Sequence, residues 1–322
     1  MITIQNLVKR YENLTAVDGV HLDIHENEIF GLLGSNGAGK TTIIHMLATL
    51  LKPTSGTATV NGYDIIKESA KVRASIGIVF QAPSSDDMLT GYENLKINSL
   101  LYGIPRHLRE NRIDWVLDLV GLTGRKDDQV KKYSGGMRRR LEIARGLIHK
   151  PKVIFLDEPT LGLDPSSRES MWRYIQRLAK EEKITIILTT HYMEEADKLC
   201  DRIGIIDKGK IIALDTPSKL KARIGGDIIK LKAKQNNILS IEILKHFTFV
   251  RKIEDMNDER LLILSVDNAS YNLPIILKQI DVESVEVTSR TLNDVFLHFT
   301  GRNIREQPEG GFMERYALYN KR

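Results

Sequence analysis

Two stretches of this sequence have residue types and spacing suited to phosphate chemistry. The first, GSNGAGKT at Gly34–Thr41, fits G-x-x-x-x-G-K-[ST]. An apolar strand, EIFGLL, leads into it, and a helical run, TTIIHMLATLL, leads out. In that context the backbone of Gly34, Ser35, Asn36, Gly37, Ala38 and Gly39 wraps phosphates, because the glycines remove side chains from the path. Lys40 reaches the β/γ-phosphates, and the Thr41 hydroxyl suits Mg2+. The second stretch, YSGGMRRRLEIARG from Tyr133 to Gly146, also reads as a helix start that favours an anion: Ser134, then the bare backbone of Gly135 and Gly136. It has no phosphate-binding lysine of its own. It is half a site.

Three further positions belong with these. VIFLDEP, Val153–Pro159, is an apolar strand ending in two acids, and ionised groups beside a core need a partner or a metal. Asp157 suits Mg2+, directly or through water, and Glu158 suits a residue that orients or deprotonates the attacking water. His191 ends a second strand of the same type, TIILTTH, where a side chain at the C-terminal end of a parallel strand faces the ligand crevice. Gln81 follows IGIVF as an uncharged ligand that can reach Mg2+ or water, and Tyr11, between two strands, can stack on an adenine.

The elements that must position these residues alternate. Short β-rich runs lie at ITIQNLV, HLDIH, EIFGLLG, TATVNG and SIGIVFQ, with one helix after Gly39. From about 86 to 150 the apolar spacing becomes three and four, as in helices. Strand and helix alternation then returns: KVIFLD, a helix near Ser166–Glu181, ITIILTT, a helix near Tyr192–Cys200, and a hairpin around Lys208–Gly209. Apolar strands alternating with helices imply a parallel sheet covered on both faces. Beyond about Gly226 the order is β-α-β-β-α-β, the split βαβ or ferredoxin-like arrangement, with Asn257–Asp258 in a turn. TLNDVFLHFTG is a last amphipathic helix that Thr291 can cap with Asp294.

The fold class expected is therefore α/β: a P-loop nucleotide-binding cassette, mainly a parallel sheet with an antiparallel β part and a helical insertion, plus a small C-terminal α+β domain of split βαβ type. The expected boundaries are 1–225 for the cassette (helical subdomain about 86–150), 226–301 for the accessory domain and 302–322 for a flexible tail. The chain has 322 residues and 42% apolar composition, enough for a sizeable core. Its charge, 47 − 42 = +5, is mild, so a solvated basic surface is preferred over a polyanion site. The run Arg138–Arg140 is read as partly solvated surface and partly, as the family resemblance given below implies, pairing across a dimer, and no nucleic acid partner is expected. The one cysteine, Cys200, excludes an internal disulfide and is read as a small buried residue. No run approaches the ~20 apolar residues that span a bilayer, and the N-terminus has no signal-peptide core. The expected location is cytoplasmic.

Together these motifs closely resemble the nucleotide-binding subunit of ATP-binding-cassette (ABC) transporters over about Met1–Lys221. They come in that family's order: A-loop Tyr11, Walker A Gly34–Thr42, Q-loop Gln81, signature Ser134–Met137, Walker B Val153–Glu158, D-loop Asp164 and His191. The C-terminal part, including TLNDVFLHFTGR, is similar to the drug-exporter branch of daunorubicin-resistance type. The resemblance implies ATP and Mg2+ as ligands, Thr42 and Asp164 as further nucleotide-site residues, and two copies paired head to tail as a homodimer. The signature of one copy then closes over the ATP of the other, which accounts for the half site at Ser134. The commonest signature is LSGGQ; here it is Tyr133-Ser-Gly-Gly-Met137, which keeps the phosphate-facing groups. The resemblance implies an ATPase driving an exporter for drug, lipid-like or other hydrophobic cargo. It places the chain on the cytoplasmic face of the cell membrane through a separate-chain permease, docked between about Ala82 and Gly103. A soluble ABC ATPase without a permease and an ATP-switched regulatory module remain alternatives.

Overall fold

The computed structural model describes residues 1–234, 237–256 and 261–301. The turn expected at Asn257–Asp258 and the tail expected at 302–322 lie outside the described residues. Chain contacts divide the molecule into two units, the first Met1–Leu214 and the second beginning at Asp215.

The first unit opens on a hairpin, β1 (Ile2–Tyr11) with β2 (Leu14–Ile24), followed by β3 (Ile29–Leu33), α1 (Lys40–Leu47), β4 (Ser55–Val60) and β5 (Tyr63–Asp64). A short helix, α2 (Ser69–Ser75), precedes β6 (Ile76–Val79). The sequence reading has no helix there, because α2 buries one apolar residue, Val72, and so shows no periodicity. Three helices follow: α3 (Gly91–Leu101), α4 (Arg106–Leu119) and α5 (Gly135–Leu147). Then come β7 (Val153–Asp157), α6 (Pro165–Glu181), β8 (Thr185–Thr190), α7 (Met193–Leu199), β9 (Arg202–Asp207) and β10 (Lys210–Asp215).

The strands sort by composition. β3, β7 and β8 are buried along their whole length, as apolar strands of a doubly covered parallel sheet should be. They lie in a six-stranded sheet of order β10-β9-β3-β8-β7-β6, with parallel pairing from β9 to β6. The alternating strands form a separate four-stranded antiparallel sheet, β2-β1-β4-β5. One core cluster joins residues of both sheets with α1, from Ile2 and Val60 to Ile43, Phe155 and Ile187. Cys200 is buried against Gly31, where a Cβ would come within 2.6 Å of its sulfur. Burial pushes its thiol pKa up, so it packs rather than reacts.

The second unit holds α8 (Pro217–Arg223), β11 (Asp227–Ala233), α9 (Asn237–Lys245), β12 (Val250–Met256), β13 (Leu261–Val266), α10 (Ala269–Gln279), β14 (Val282–Thr288) and α11 (Leu292–Thr300). Its sheet order, β12-β13-β11-β14 with antiparallel pairing throughout, is the split βαβ topology expected from the sequence. Every second residue of β11 and β13 (Ile229, Leu231, Ala233; Leu262, Leu264, Val266) faces one core with Leu244 and Ile276. Thr291 and Asp294 close a reciprocal capping box on α11.

Candidate functional site

Parallel pairing places the C-terminal ends of β3, β7 and β8 side by side. Leu33 pairs with Thr190, and Asp157 with Thr189. Whatever follows each strand therefore meets at one edge of the sheet, the usual ligand edge of an open α/β fold. After β3 come Gly34–Gly39, after β7 Glu158, and after β8 His191.

The loop after β3 is shaped by its glycines. Gly39 has φ +110 and serves as N-cap of α1 with no side-chain cap, and a Cβ there would sit 2.5 Å from the Ala16 carbonyl. Only glycine takes that conformation in that space. The first-turn N–H groups of α1 lack intrahelical acceptors, an arrangement that suits an anion. Lys40 is buried, and its ammonium donates to the carbonyls of Gly34 (2.7 Å) and Ser35 (3.2 Å). It also lies 3.5 Å from Glu158 Oε1. Burial pushes the Lys40 pKa down, while Glu158 and Asp157 oppose the shift. A buried cation beside an open backbone cradle fits a polyphosphate.

The Thr41 hydroxyl donates to both Asp157 carboxylate oxygens, at 3.1 and 3.2 Å. Such hard oxygen ligands fit Mg2+, which binds through one or two protein oxygens and keeps waters and phosphates for the rest. Thr189 supports both acids: its hydroxyl donates to Asp157 Oδ1 and accepts from the Glu158 N–H at 3.0 Å. Glu158 itself is buried at φ +49, a left-handed conformation that is strained for a residue with a side chain. Its Oε2 is 2.8 Å from His191 Nδ1. That contact leaves Nε2 as the ring nitrogen able to face a ligand. The cluster thus contains a phosphate counter-charge, a metal-type oxygen pair, and a carboxylate and imidazole placed to handle a proton.

The other sequence-selected residues lie on neighbouring elements. Tyr11 ends β1, with the Lys9 ammonium 5.1 Å from its ring. Gln81 is exposed just beyond β6. Ser134 caps α5 by accepting from the Met137 N–H, with Gly135 exposed beside it. The neighbouring Tyr133 is buried, and its hydroxyl donates to the Arg125 carbonyl at 2.8 Å, against Gly91, where a Cβ would clash with that hydroxyl. Tyr133 thereby anchors the start of α5 while Ser134 stays exposed. Asp164 caps α6 by accepting from the Ser167 N–H at 3.0 Å, and hydrogen bonds from the Ser167 side chain and backbone hold its carboxyl below the usual range.

Of Arg138–Arg140, read from the sequence as partly solvated, Arg139 departs from that reading. Arg139 is 8% exposed, and its guanidinium donates into backbone carbonyls. Arg138 pairs with Asp87, and Arg140 donates to the Val120 carbonyl at 3.0 Å. The missed signal was helical spacing: Arg139, Glu142, Ile143 and Gly146 lie at i, i+3, i+4 and i+7 on one stripe. Glu195 was also missed. It is fully buried, accepts from Thr160 and Trp172, and has its pKa raised by burial.

A family profile described as ABC transporter matches residues 17–161. The chain is 38% identical over 312 residues to the linearmycin resistance ATP-binding protein LnrL of Bacillus subtilis (strain 168), covering 95% of this chain and 100% of that one. It is also 38% identical to the daunorubicin/doxorubicin resistance ATP-binding protein DrrA of Streptomyces peucetius, with 93% and 92% covered. Among solved structures, it is similar to cbiO1 from Clostridium perfringens, part of the ABC transporter complex cbiONQ, with TM-score 0.65, 28% identity, and 76% of this chain and 95% of that one covered. It is likewise similar to a post-hydrolysis dimer of the ATP-binding cassette MJ0796 bound to ADP and Pi, with TM-score 0.60, 27% identity, and 67% and 98% covered.

Proposed function

The chain belongs to the ABC transporter family as an ATP-binding ATPase, and from that premise we propose that it powers an exporter whose membrane-spanning part is a separate permease chain. The observation that carries the reading is the meeting of Lys40, Thr41, Asp157, Glu158 and His191 at the C-terminal ends of three parallel strands. Among the described residues, no helix is long and apolar enough to cross a membrane. The relatives' names, resistance to linearmycin and to daunorubicin/doxorubicin, support a drug-like or otherwise hydrophobic cargo, and a place on the cytoplasmic face of the membrane, through the permease, is part of the same proposal. The proposed division is a cassette over 1–225 and an accessory domain over 226–301.

In this reading Tyr11 stacks on adenine, and the backbone of 34–39 with Lys40 and Thr42 holds the phosphates. Thr41 and Asp157, with Gln81 as a further oxygen ligand, would hold Mg2+, which would neutralise phosphate charge. Glu158 takes the proton of the attacking water, and His191, fixed through Nδ1, steadies that carboxylate while Nε2 faces the γ-phosphate. Two copies pair head to tail, so that Ser134, Gly135 and Gly136 of one complete the nucleotide site of the other, with Asp164 at the junction. A groove of about 300 Å³, lined by Phe80, Leu101, Tyr102 and Arg145 among others, lies in the segment where the permease is proposed to dock.

Ser134→Arg tests the shared site. The substitution puts a bulky cation where a γ-phosphate must approach the start of α5, but that phosphate belongs to the other copy. The variant is expected to bind a fluorescent ATP analogue through its own loop with an affinity within about threefold of the parent, under ~0.7 kcal/mol, yet to fail to dimerise or hydrolyse. Loss of binding to the monomer would mean that Ser134 serves its own chain's nucleotide, and the head-to-tail reading would fall.

A further inference from the structure

The run Phe80–Ser85 has no regular secondary structure, and Gln81–Ser84 is exposed. Among the described residues, its hydrogen bonds run to side chains of α5. Arg139 donates from Nη1 to the carbonyls of Phe80 and Gln81. One turn on, Glu142 accepts from the N–H groups of Ser84 (3.1 Å) and Ser85 (2.8 Å), and from the Ser84 hydroxyl. Arg145 completes this grip, reaching the Ser84 hydroxyl at 2.8 Å and the Glu142 carboxylate at 3.0 Å. The remaining donors of Arg139 turn the other way. Nε reaches the Pro159 carbonyl at 2.9 Å, and Nη2 reaches those of Asp157 (2.7 Å) and Glu158 (3.1 Å).

A single planar guanidinium therefore spans three segments: the exposed 80–85 run, the backbone that carries both acids, and the helix whose start is Ser134. Its five acceptors are all carbonyl oxygens, so it binds backbone position rather than neutralising one acid. Such a fork fixes direction as well as distance, which a lysine point charge would not. Below it, α5 lies tight on β6: a Cβ on Gly77 would strike the Gly146 carbonyl. Movement of 80–85 therefore has little slack relative to α5.

We propose that Arg139, with Glu142, is a positioning residue that makes 80–85, the Asp157–Glu158 backbone and the Ser134 helix move as one body. Pressure on the exposed segment is thereby transmitted both to this chain's own acids and to the half site it offers its partner copy. The proposal rests on the head-to-tail reading above and adds the residues that carry the coupling. Arg139 touches no substrate, and acts through the backbone of Glu158.

The test is amide hydrogen exchange on the full chain carrying Glu158→Gln, a background chosen to hold the closed state with Mg-ATP. In that parent, adding Mg-ATP is expected to slow exchange about tenfold at both 134–137 and 80–85. With Arg139→Gln added, 134–137 still slows at saturating ATP, whereas the slowing at 80–85 drops below about threefold. If 80–85 slows in the variant as it does in the parent, the coupling proposal is overturned. If the parent slows at neither stretch, the head-to-tail reading falls and takes the proposal with it. In a chain that keeps the native Glu158, Arg139→Gln is expected to lower kcat about 10–100-fold with KM for ATP within about threefold, since a lost transition-state alignment lowers kcat and kcat/KM together. A raised KM with unchanged kcat would contradict positioning. Should Arg139→Gln not fold, Glu142→Gln gives the same reading at Ser84 and Ser85. It keeps the side-chain shape and removes the charge; unchanged slowing there overturns the proposal.

Discussion

Glu158→Gln is expected to bind ATP normally, to lose about 10²–10⁴-fold in kcat, and to accumulate as a dimer in Mg-ATP. The size of the loss is that of removing a positioned base, because an amide cannot accept the proton of water. Retention of binding follows from how the residue is held. Its backbone is held through the N–H to Thr189 and the carbonyl to Arg139, contacts that the substitution does not touch. The substitution therefore leaves the strained φ +49 turn and its neighbours in place. It also removes one negative charge beside Lys40 and Asp157, so repulsion of the incoming phosphates falls. With entry intact and hydrolysis blocked, closure is not reset. Size-exclusion chromatography in saturating Mg-ATP reads the dimer, and phosphate release reads the rate. A variant that stays monomeric argues against the sandwich, and one that turns over at the parent rate removes Glu158 from the base role.

The residues legible in the sequence were those whose placement is written locally. Lys40 and Thr41 follow a strand and a glycine loop, Asp157 and Glu158 end an apolar strand, and His191 ends another. Parallel pairing then assembles them without further information, because equivalent strand ends meet at one edge. The split βαβ order was legible for a similar reason: its strands alternate over one buried face. What escaped depends on direction around a helix. Arg138, Arg139 and Arg140 are adjacent in sequence but project about 100° apart. One meets Asp87, one lies inside, and one reaches the end of the preceding helix. Thr189 escaped because a buried threonine in an apolar strand reads as β propensity, whereas its hydroxyl joins both acids. The anchor at Tyr133 required knowing that Gly91, far away in sequence, leaves room for its hydroxyl.

Lys40→Ala is expected to reduce ATPase activity to background and to weaken ATP binding by at least about 10²-fold. A hydrogen bond to a charged group is worth about 1.5–3 kcal/mol, and ~1.4 kcal/mol is tenfold in affinity. In the proposed site Lys40 contacts more than one phosphate oxygen. Two further losses act in the same direction. Its ammonium ties the carbonyls of Gly34 and Ser35, so the loop loses an internal brace. It also lies 3.5 Å from Glu158, and without it the two acids present less compensated negative charge to the incoming phosphates. The effect should therefore exceed that of losing one contact. Removing a buried, partly charge-compensated ammonium creates a small cavity but no new strand pairing, so the fold should survive. Titration with a fluorescent ATP analogue, beside thermal unfolding of the same sample, separates lost binding from lost folding. The contrast with Ser134→Arg makes the result specific: both variants should fail to hydrolyse, but only Lys40→Ala should fail to bind as a monomer. Full turnover by Lys40→Ala would remove the 34–41 loop from the nucleotide site, however well the rest of the cluster fits.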